Sequence, residues 1–506
     1  MYKNLKYLFI SSFFFVACSE DIKEEVIAEA PLSKGSADFT KYVAIGNSLT
    51  AGYTDRALFK KGQEYAYPNL LSQKFAEVGG GTFTTPWMND NTGGMLINGA
   101  FDTNFAGRLI LEGFTATGSP IIKSLSQPPF NQFPTSTNVS LGGSYNNMGI
   151  PGAKVGHLLF PGYAMGNPYY GRFASDPMAK VIDDVLAQNP TFFSLWIGNN
   201  DVLGYATTGG DGTDPITATT DFDNAYTSLV NSLTQGERKG VIANIPAITS
   251  APFFTTITHN QIPGLPTANI TSLNQLFGGI NAALTANGLP TRFSMLVADD
   301  ANPSTVERNP ILIKDKTLPP IASQITSALT PTFDLATATF LGNLLSQARH
   351  ATRNASSRDL ILLTSSPLLG TVLSGAPAPF NVIGVSNPLG DSFVLLPSEQ
   401  SNISTATASF NNTIKSAANA KGLAFVDVHS LMVQLSTTGI RFDNFHMNAN
   451  FITGGTFSLD GIHITPRGNA FIANQFLEAI ERTYGAKFNK FKPQDKPITY
   501  PSFLPN

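Results

Sequence analysis

Four short apolar runs punctuate the chain, each soon followed by Gly, Pro or Ser: residues 42–45 (YVAI), 192–197 (FFSLWI), 241–245 (VIANI) and 423–428 (LAFVDV). Continuous rather than alternating hydrophobicity over this length suits strands buried on both faces, as in a parallel sheet. Helical patterns lie between them. Residues 221–235 put Phe222, Ala225, Tyr226, Leu229, Val230 and Leu233 on one face, with Thr220 or Asp221 able to cap. Residues 466–484 do the same with Phe471, Ile472, Phe476, Leu477 and Ile480, and Pro466 after Thr465 suits a helix entry. Strand–helix alternation predicts an α/β sandwich around a parallel sheet.

Two stretches break this rhythm. Residues 83–140 are rich in Gly, Thr, Pro and Phe. Residues 258–394 hold possible helices over 273–287 and 333–353, with strand-like runs at 311–314 and 359–364. Both are expected as insertions on a domain spanning about residues 40–485, followed by a C-terminal tail over 486–506. No internal repeat is visible.

At 506 residues the chain is long enough for a large core. Only 13% of residues are charged and the net charge is −3, against a usual charged share of about 25%. No basic cluster marks a nucleic-acid surface. The single cysteine, Cys18, excludes an internal disulfide. Lys3 and Lys6 precede an apolar run over residues 8–17, too short to span a bilayer, and small Ala17 stands before Cys18. This order resembles a bacterial lipoprotein signal over residues 1–17, with Cys18 as the lipidated residue. Residues 18–39 are acidic and aperiodic, which predicts a flexible tether. An acidic stretch just after such a cysteine also resembles the surface-export signal of some outer-membrane lipoproteins.

Candidate chemistry falls in four places. Residues 42–53 (YVAIGNSLTAGY) put Ser48 just after a buried strand, where open α/β sheets bind ligands; Gly-Asn-Ser is equally a plain turn. Residues 147–153 (NMGIPGA) suit a type II turn with Gly152 at positive φ, either a simple turn or a close backbone approach to a ligand. Residues 196–202 (WIGNNDV) place the amide of Asn200 at a strand end, with Asp201 expected to order the loop. Residues 458–468 (SLDGIHITPRG) offer Asp460 and His463 from one loop before the last helix. Asp443 with His446, and Asp427 with His429, are competing pairs. His157, His259 and His350 have no partner pattern and default to structural roles.

Together, in this order, the four segments resemble the serine, glycine, Gly-x-Asn-Asp and Asp-x-x-His blocks of the SGNH (GDSL-type) hydrolases. The resemblance covers residues 40–485. It implies a three-layer α/β/α sandwich with a flavodoxin-like parallel sheet carrying large insertions. It further implies a serine esterase or lipase working through an acyl-enzyme: Ser48 as nucleophile, His463 as base, Asp460 orienting it, and an oxyanion hole from Ser48, Gly152 and Asn200. One departure is Asn47, where the family usually has Asp. No Gly-x-Ser-x-Gly elbow surrounds Ser48, against an α/β-hydrolase. No zinc-like spacing implies a metal, and no cofactor is implied.

The substrate is expected to be a small-molecule or lipid ester. Phe83, Trp87, Phe101, Phe105, Phe114, Phe130 and Phe133 are candidates for an acyl pocket or for plain core. The rival expectation is an inactive surface lipoprotein that keeps the fold as a binding module. Either protein would sit in the cell envelope, at the outer membrane, held by a lipid on Cys18. Cys18→Ser is therefore expected to release the protein from the membrane fraction. A variant that stays wholly membrane-bound, beside a native protein that takes up no labelled fatty acid, would point to another anchor.

Overall fold

The computed structural model describes residues 31–504 apart from 116–117, 126–134, 138–139, 266, 300–306, 347–349 and 443–444. The signal segment, Cys18, Phe130, Phe133 and Asp443 lie outside the described residues.

Five strands form the central sheet: β1 (Tyr42–Gly46), β2 (Asn147–Gly149), β3 (Phe192–Trp196), β4 (Lys239–Ala243) and β5 (Ala424–Val426). Their spatial order is β2-β1-β3-β4-β5, and every pairing is parallel. That is the order of flavodoxin-like doubly wound sheets, in which the direction of winding reverses between β1 and β3. All of β1 and β3 is buried, which explains their unbroken apolar composition. Three residues are too few for β2 to stand out by hydrophobicity. It is set by pairing, with Ala44 opposite Asn147 and Gly46 opposite Gly149.

Seven helices matter for the site: α1 (Ser48–Ala51), α2 (Tyr67–Ala76), α3 (Asn200–Thr207), α4 (Thr219–Leu233), α5 (Pro397–Lys421), α6 (Val428–Thr437) and α7 (Pro466–Tyr484). The apolar face of α7 packs on α2 and the β4–β5 edge. Thr465 caps α7 by accepting the Gly468 N–H at 3.0 Å, and Gly485 closes it in the left-handed region. The core face of α4 is as expected, but its N-cap is Ala218, with no side-chain cap from Thr220 or Asp221. Phe222 of α4 stacks on Phe410 of α5 at 3.9 Å. Helices paired in this way on a parallel sheet are compatible with a three-layer α/β/α sandwich.

The second aperiodic stretch has a hydrophobic cluster of its own, built from residues such as Phe277, Ile280, Ile311 and Leu341. Its helix over 333–353 is shorter than the pattern predicts. It runs Leu335–Ser346, and His350–Asn354 is instead a strand antiparallel to Leu312–Lys314. Arg353 in that strand bridges Asp315 and Asp359 at 2.5 and 2.6 Å. These tertiary pairings override a weak helical preference.

The tether also ends earlier than expected. Ser33 exchanges two backbone hydrogen bonds with Lys487, at 3.1 and 2.8 Å. Ala37 and Phe39 are each 1% exposed, and Phe39 stacks on Phe75 at 4.1 Å. Single anchors of this kind leave no period in the sequence. The C-terminal segment is docked as well, with Phe488 and Tyr500 buried. Phe39→Ala should therefore cost about 3–5 kcal/mol of folding stability by denaturant titration. A change within about 0.5 kcal/mol, ordinary for an exposed site, would return residues 32–39 to the tether.

Candidate active site

The serine segment is shaped by glycines and an Asx cap. β1 ends at Gly46, where an added Cβ would lie 2.5 Å from the Trp196 carbonyl oxygen. Asn47 then turns the chain, its Oδ1 accepting the Leu49 N–H at 3.1 Å. This sets Ser48 at the first position of α1, beyond the carboxyl end of β1. Helix α1 lies directly on β2, since a Cβ at Gly149 would come 2.2 Å from the Ala51 nitrogen. So the nucleophile candidate sits beside the switch point between β1 and β3, where doubly wound sheets bind ligands.

Residues 458–463 arrive from the far end of the chain. His463 Nε2 lies 2.9 Å from Ser48 Oγ, and His463 Nδ1 lies 2.9 Å from Asp460 Oδ2. Asp460 is saturated with donors. Oδ1 accepts from the N–H groups of Ile462 and His463 and from Ser458 Oγ, at 2.9, 2.8 and 3.1 Å. Oδ2 accepts a further N–H from Arg56 at 2.8 Å. Burial by itself would raise the Asp460 pKa, but the imidazole and these donors together hold it well below the usual carboxylate range. The carboxylate therefore stays ionised beside the imidazole. Tyr53 flanks the imidazole, with ring centroids 4.7 Å apart.

The three expected oxyanion donors have distinct settings. Ser48 and Gly152 N–H groups donate to none of the described residues. Gly152 has φ +82°, as the Pro151-Gly152 turn requires. Asn200 donates one amide N–H to the Ala153 carbonyl at 2.9 Å, tying it to the residue next to Gly152 and leaving its second N–H without a partner among the described residues. Asp201 orders this loop as expected: it accepts from Val155 N–H at 3.0 Å and Thr217 Oγ1 at 2.8 Å. Burial lifts its pKa to about 6 against those donors.

Ser48, Asn200 and His463 share one cleft of about 800 Å³ of empty space, mouth included. Its walls are almost wholly apolar and come from Ile248 and Phe254 after β4, Leu431, Met432 and Leu435 on α6, and Phe471 on α7. None of Phe83, Trp87, Phe101, Phe105 and Phe114 lines it. Phe83 stacks on Tyr42, Phe105 packs against Tyr169, and Phe114 and Trp87 are exposed. Sequence reasoning missed the true walls because their apolar residues also fit helix core positions. It missed the Arg56 donor because a backbone N–H leaves no trace in residue type.

The competing pairs have other partners. His446 is exposed and its Nε2 contacts the Thr438 carbonyl at 2.9 Å. Asp427 caps α6, accepting from Ser430 N–H at 3.1 Å and Asn244 Nδ2 at 2.8 Å. His157 Nδ1 accepts the Lys154 N–H at 3.1 Å, and its ring stacks on Tyr163. Among the described residues, no group of three or more His, Cys, Asp or Glu is placed to hold a metal, and no helix is long and apolar enough to cross a membrane.

No family model, curated protein or solved structure matches the chain. The chemistry of the site therefore rests on its geometry. A hydroxyl bonded to an imidazole, which is in turn bonded to an ionised carboxylate, can lose its proton as it attacks an electrophile. The depressed Asp460 pKa also has a consequence for stability. A carboxylate with a lowered folded pKa stabilises the fold above its unfolded value, near 4, and loses that contribution as pH falls through the folded value. The stability deficit of Asp460→Asn should thus be largest near neutral pH and shrink below pH ~4. A deficit that is constant with pH in thermal melts would contradict the Asp460 environment described above.

Proposed function

We propose that this protein is a serine esterase of the SGNH hydrolase type, anchored in the cell envelope through a lipid on Cys18. The observation that carries the catalytic reading is the unbroken Ser48–His463–Asp460 hydrogen-bond chain at the carboxyl edge of a flavodoxin-ordered sheet. The four motif segments support it, as does a cleft with Ser48 in its wall. The anchor rests on the sequence around Cys18 alone.

In this mechanism His463 Nε2 takes the Ser48 proton as Oγ attacks the ester carbonyl. The carbonyl oxygen becomes an oxyanion, held by the Ser48 and Gly152 N–H groups and the free amide N–H of Asn200. One such donor is typically worth about 10²–10³ in rate. The imidazolium, stabilised by Asp460, then protonates the departing alkoxide. Water, deprotonated by the same nitrogen, attacks the acyl-enzyme, and the returning proton frees Ser48. The apolar cleft suits an ester with a hydrocarbon portion rather than a wholly polar one.

The test combines labelling with kinetics on an aryl ester. The native protein should react with a fluorophosphonate probe, and Ser48→Ala should neither label nor turn over, a loss of about 10⁶ in kcat for a triad nucleophile. His463→Ala should fall as far, whereas His446→Ala should keep most activity. A folded native protein that neither labels nor hydrolyses esters would leave the cleft as a binding site. A dead His446→Ala beside an active His463→Ala would move the base to the upstream loop.

A further inference from the structure

The turn after α1 makes contacts that the mechanism above does not require. Thr54 and Ala57 form a tight bridge, and the two residues between them both lie in the left-handed region: Asp55 at φ +49° and Arg56 at φ +63°. Two consecutive non-glycine residues in that region are unfavourable and persist only where surrounding contacts fix them. Besides the Leu109 N–H donated to the Asp55 carbonyl at 2.8 Å, the Tyr53 hydroxyl on the Arg56 carbonyl and the Arg56 guanidinium on Ser124, the turn's contacts run to the base loop. Thr54 Oγ1 donates to the Ile464 carbonyl at 3.2 Å. Asp55 N–H donates to Ser458 Oγ at 3.1 Å, and Asp55 Oδ1 accepts the Leu459 N–H at 2.9 Å. Arg56 N–H reaches Asp460 Oδ2 at 2.8 Å.

We propose that Asp55 is a positioning residue for the Asp460–His463 pair, fastening the 458–464 loop to the segment that also carries Ser48. Its left-handed conformation aims the Arg56 N–H at Asp460. Its carboxylate holds Leu459 immediately before Asp460. Through Ser458, whose hydroxyl donates onward to Asp460 Oδ1 at 3.1 Å, its own N–H reaches the same carboxylate. Nucleophile and base loop are thereby joined seven residues beyond Ser48, although they are far apart in sequence. The catalytic use of this clamp rests on the esterase reading; the clamp itself is a matter of hydrogen bonds.

Asp55 is 2% exposed, and its Oδ2 has no hydrogen-bond partner among the described residues. The charged and titratable groups facing it are Asp460 and His463 on the base loop, Arg108 from the 83–140 stretch, and Tyr500 from the C-terminal segment. Arg108 donates through Nε and Nη2 to the carbonyls of Asn91, Pro501 and Ser502, while its Nη1 has no hydrogen-bond partner among the described residues. Burial lifts the Asp55 carboxyl to about 7; Asp460 adds to the rise, while the Leu459 N–H, Arg108 and His463 oppose it. A carboxyl with a raised folded pKa stabilises fully below its unfolded value and loses that contribution as pH rises through the folded one.

The experiment uses the full chain and three variants, Asp55→Ala, Asp55→Asn and Ser458→Ala. The catalytic readout is kcat and KM on an aryl ester, with active sites counted by fluorophosphonate. The positional readout is the downfield NMR signal of the His463 Nδ1 proton in its bond to Asp460, seen in ¹⁵N-histidine protein. Asp55→Ala should lower kcat by up to about 10², the scale of a 1 Å misplacement, with KM unchanged and the downfield signal weakened. Asp55→Asn keeps an acceptor and tolerates positive φ, so it should recover most of both. Its melting temperature should gain on the native protein as pH rises from about 4 to 7. Ser458→Ala should show a smaller loss of the same kind, and it keeps the test decisive if Asp55→Ala does not fold. Native kcat and an unchanged signal in folded Asp55→Ala, or in Ser458→Ala alone, would overturn the proposal. So would an Asp55→Asn as impaired as Asp55→Ala. A native protein without esterase activity, whose downfield signal still depends on Asp55, would overturn the esterase reading and leave the clamp standing.

Discussion

One constraint organises the rest: Ser48 and His463 must meet although 415 residues separate them. A parallel sheet meets it by geometry. All five strands deliver their carboxyl ends to one edge, so loops after β1, β3 and β4 converge whatever is inserted between them. The base loop is not attached to a strand and needs another fixing. It comes from α7, whose buried face docks on α2 and the sheet, and whose Thr465 cap fixes the chain just beyond His463. The long connection between β4 and α5 carries its own hydrophobic cluster over residues 257–396 and leaves the sheet's edge in place.

This division explains what the sequence conveys and what it withholds. β1, β3, β4 and β5 are legible because strands buried on both faces must be apolar throughout. Ser48, Gly152, Asn200, Asp460 and His463 each stand among turn-forming neighbours that read singly as plain turns or loops, and they stand out only through the resemblance carried by all four segments in one order. Helix α5 is not. Its Ser, Thr and Asn content suggests a loop, and only Ile403, Thr407, Phe410, Ile414 and Ala418 make a sparse buried stripe. Its start is held by Glu399, which accepts the Leu396 N–H at 2.7 Å. The tether boundary was obscured in a similar way, because Phe39 stacks into the core as a single aromatic in an acidic stretch. The cleft walls come from six segments between residues 47 and 472, and nothing local marks them as neighbours.

The two carboxylates beside the imidazole argue a finer point. Asp460 and Asp55 are both buried and belong to one hydrogen-bonded cluster, yet their pKa values move in opposite directions. The difference lies in the donors. Five hydrogen bonds converge on Asp460, from both the turn and its own loop, and its partner imidazole can carry charge. Asp55 accepts one backbone N–H through its side chain, and its other oxygen has no partner among the described residues. Burial wins at one site and the donors win at the other. The ionised carboxylate is therefore the one in contact with the His463 imidazole. A fully ionised second carboxylate next to it would add like-charge repulsion inside a buried loop. A carboxyl that protonates near neutrality keeps its hydrogen bond to Leu459 through Oδ1 while shedding the charge from Oδ2. The clamp thus holds the 458–464 loop through hydrogen bonds to Ser458 and Leu459 that do not depend on a second full charge beside Asp460.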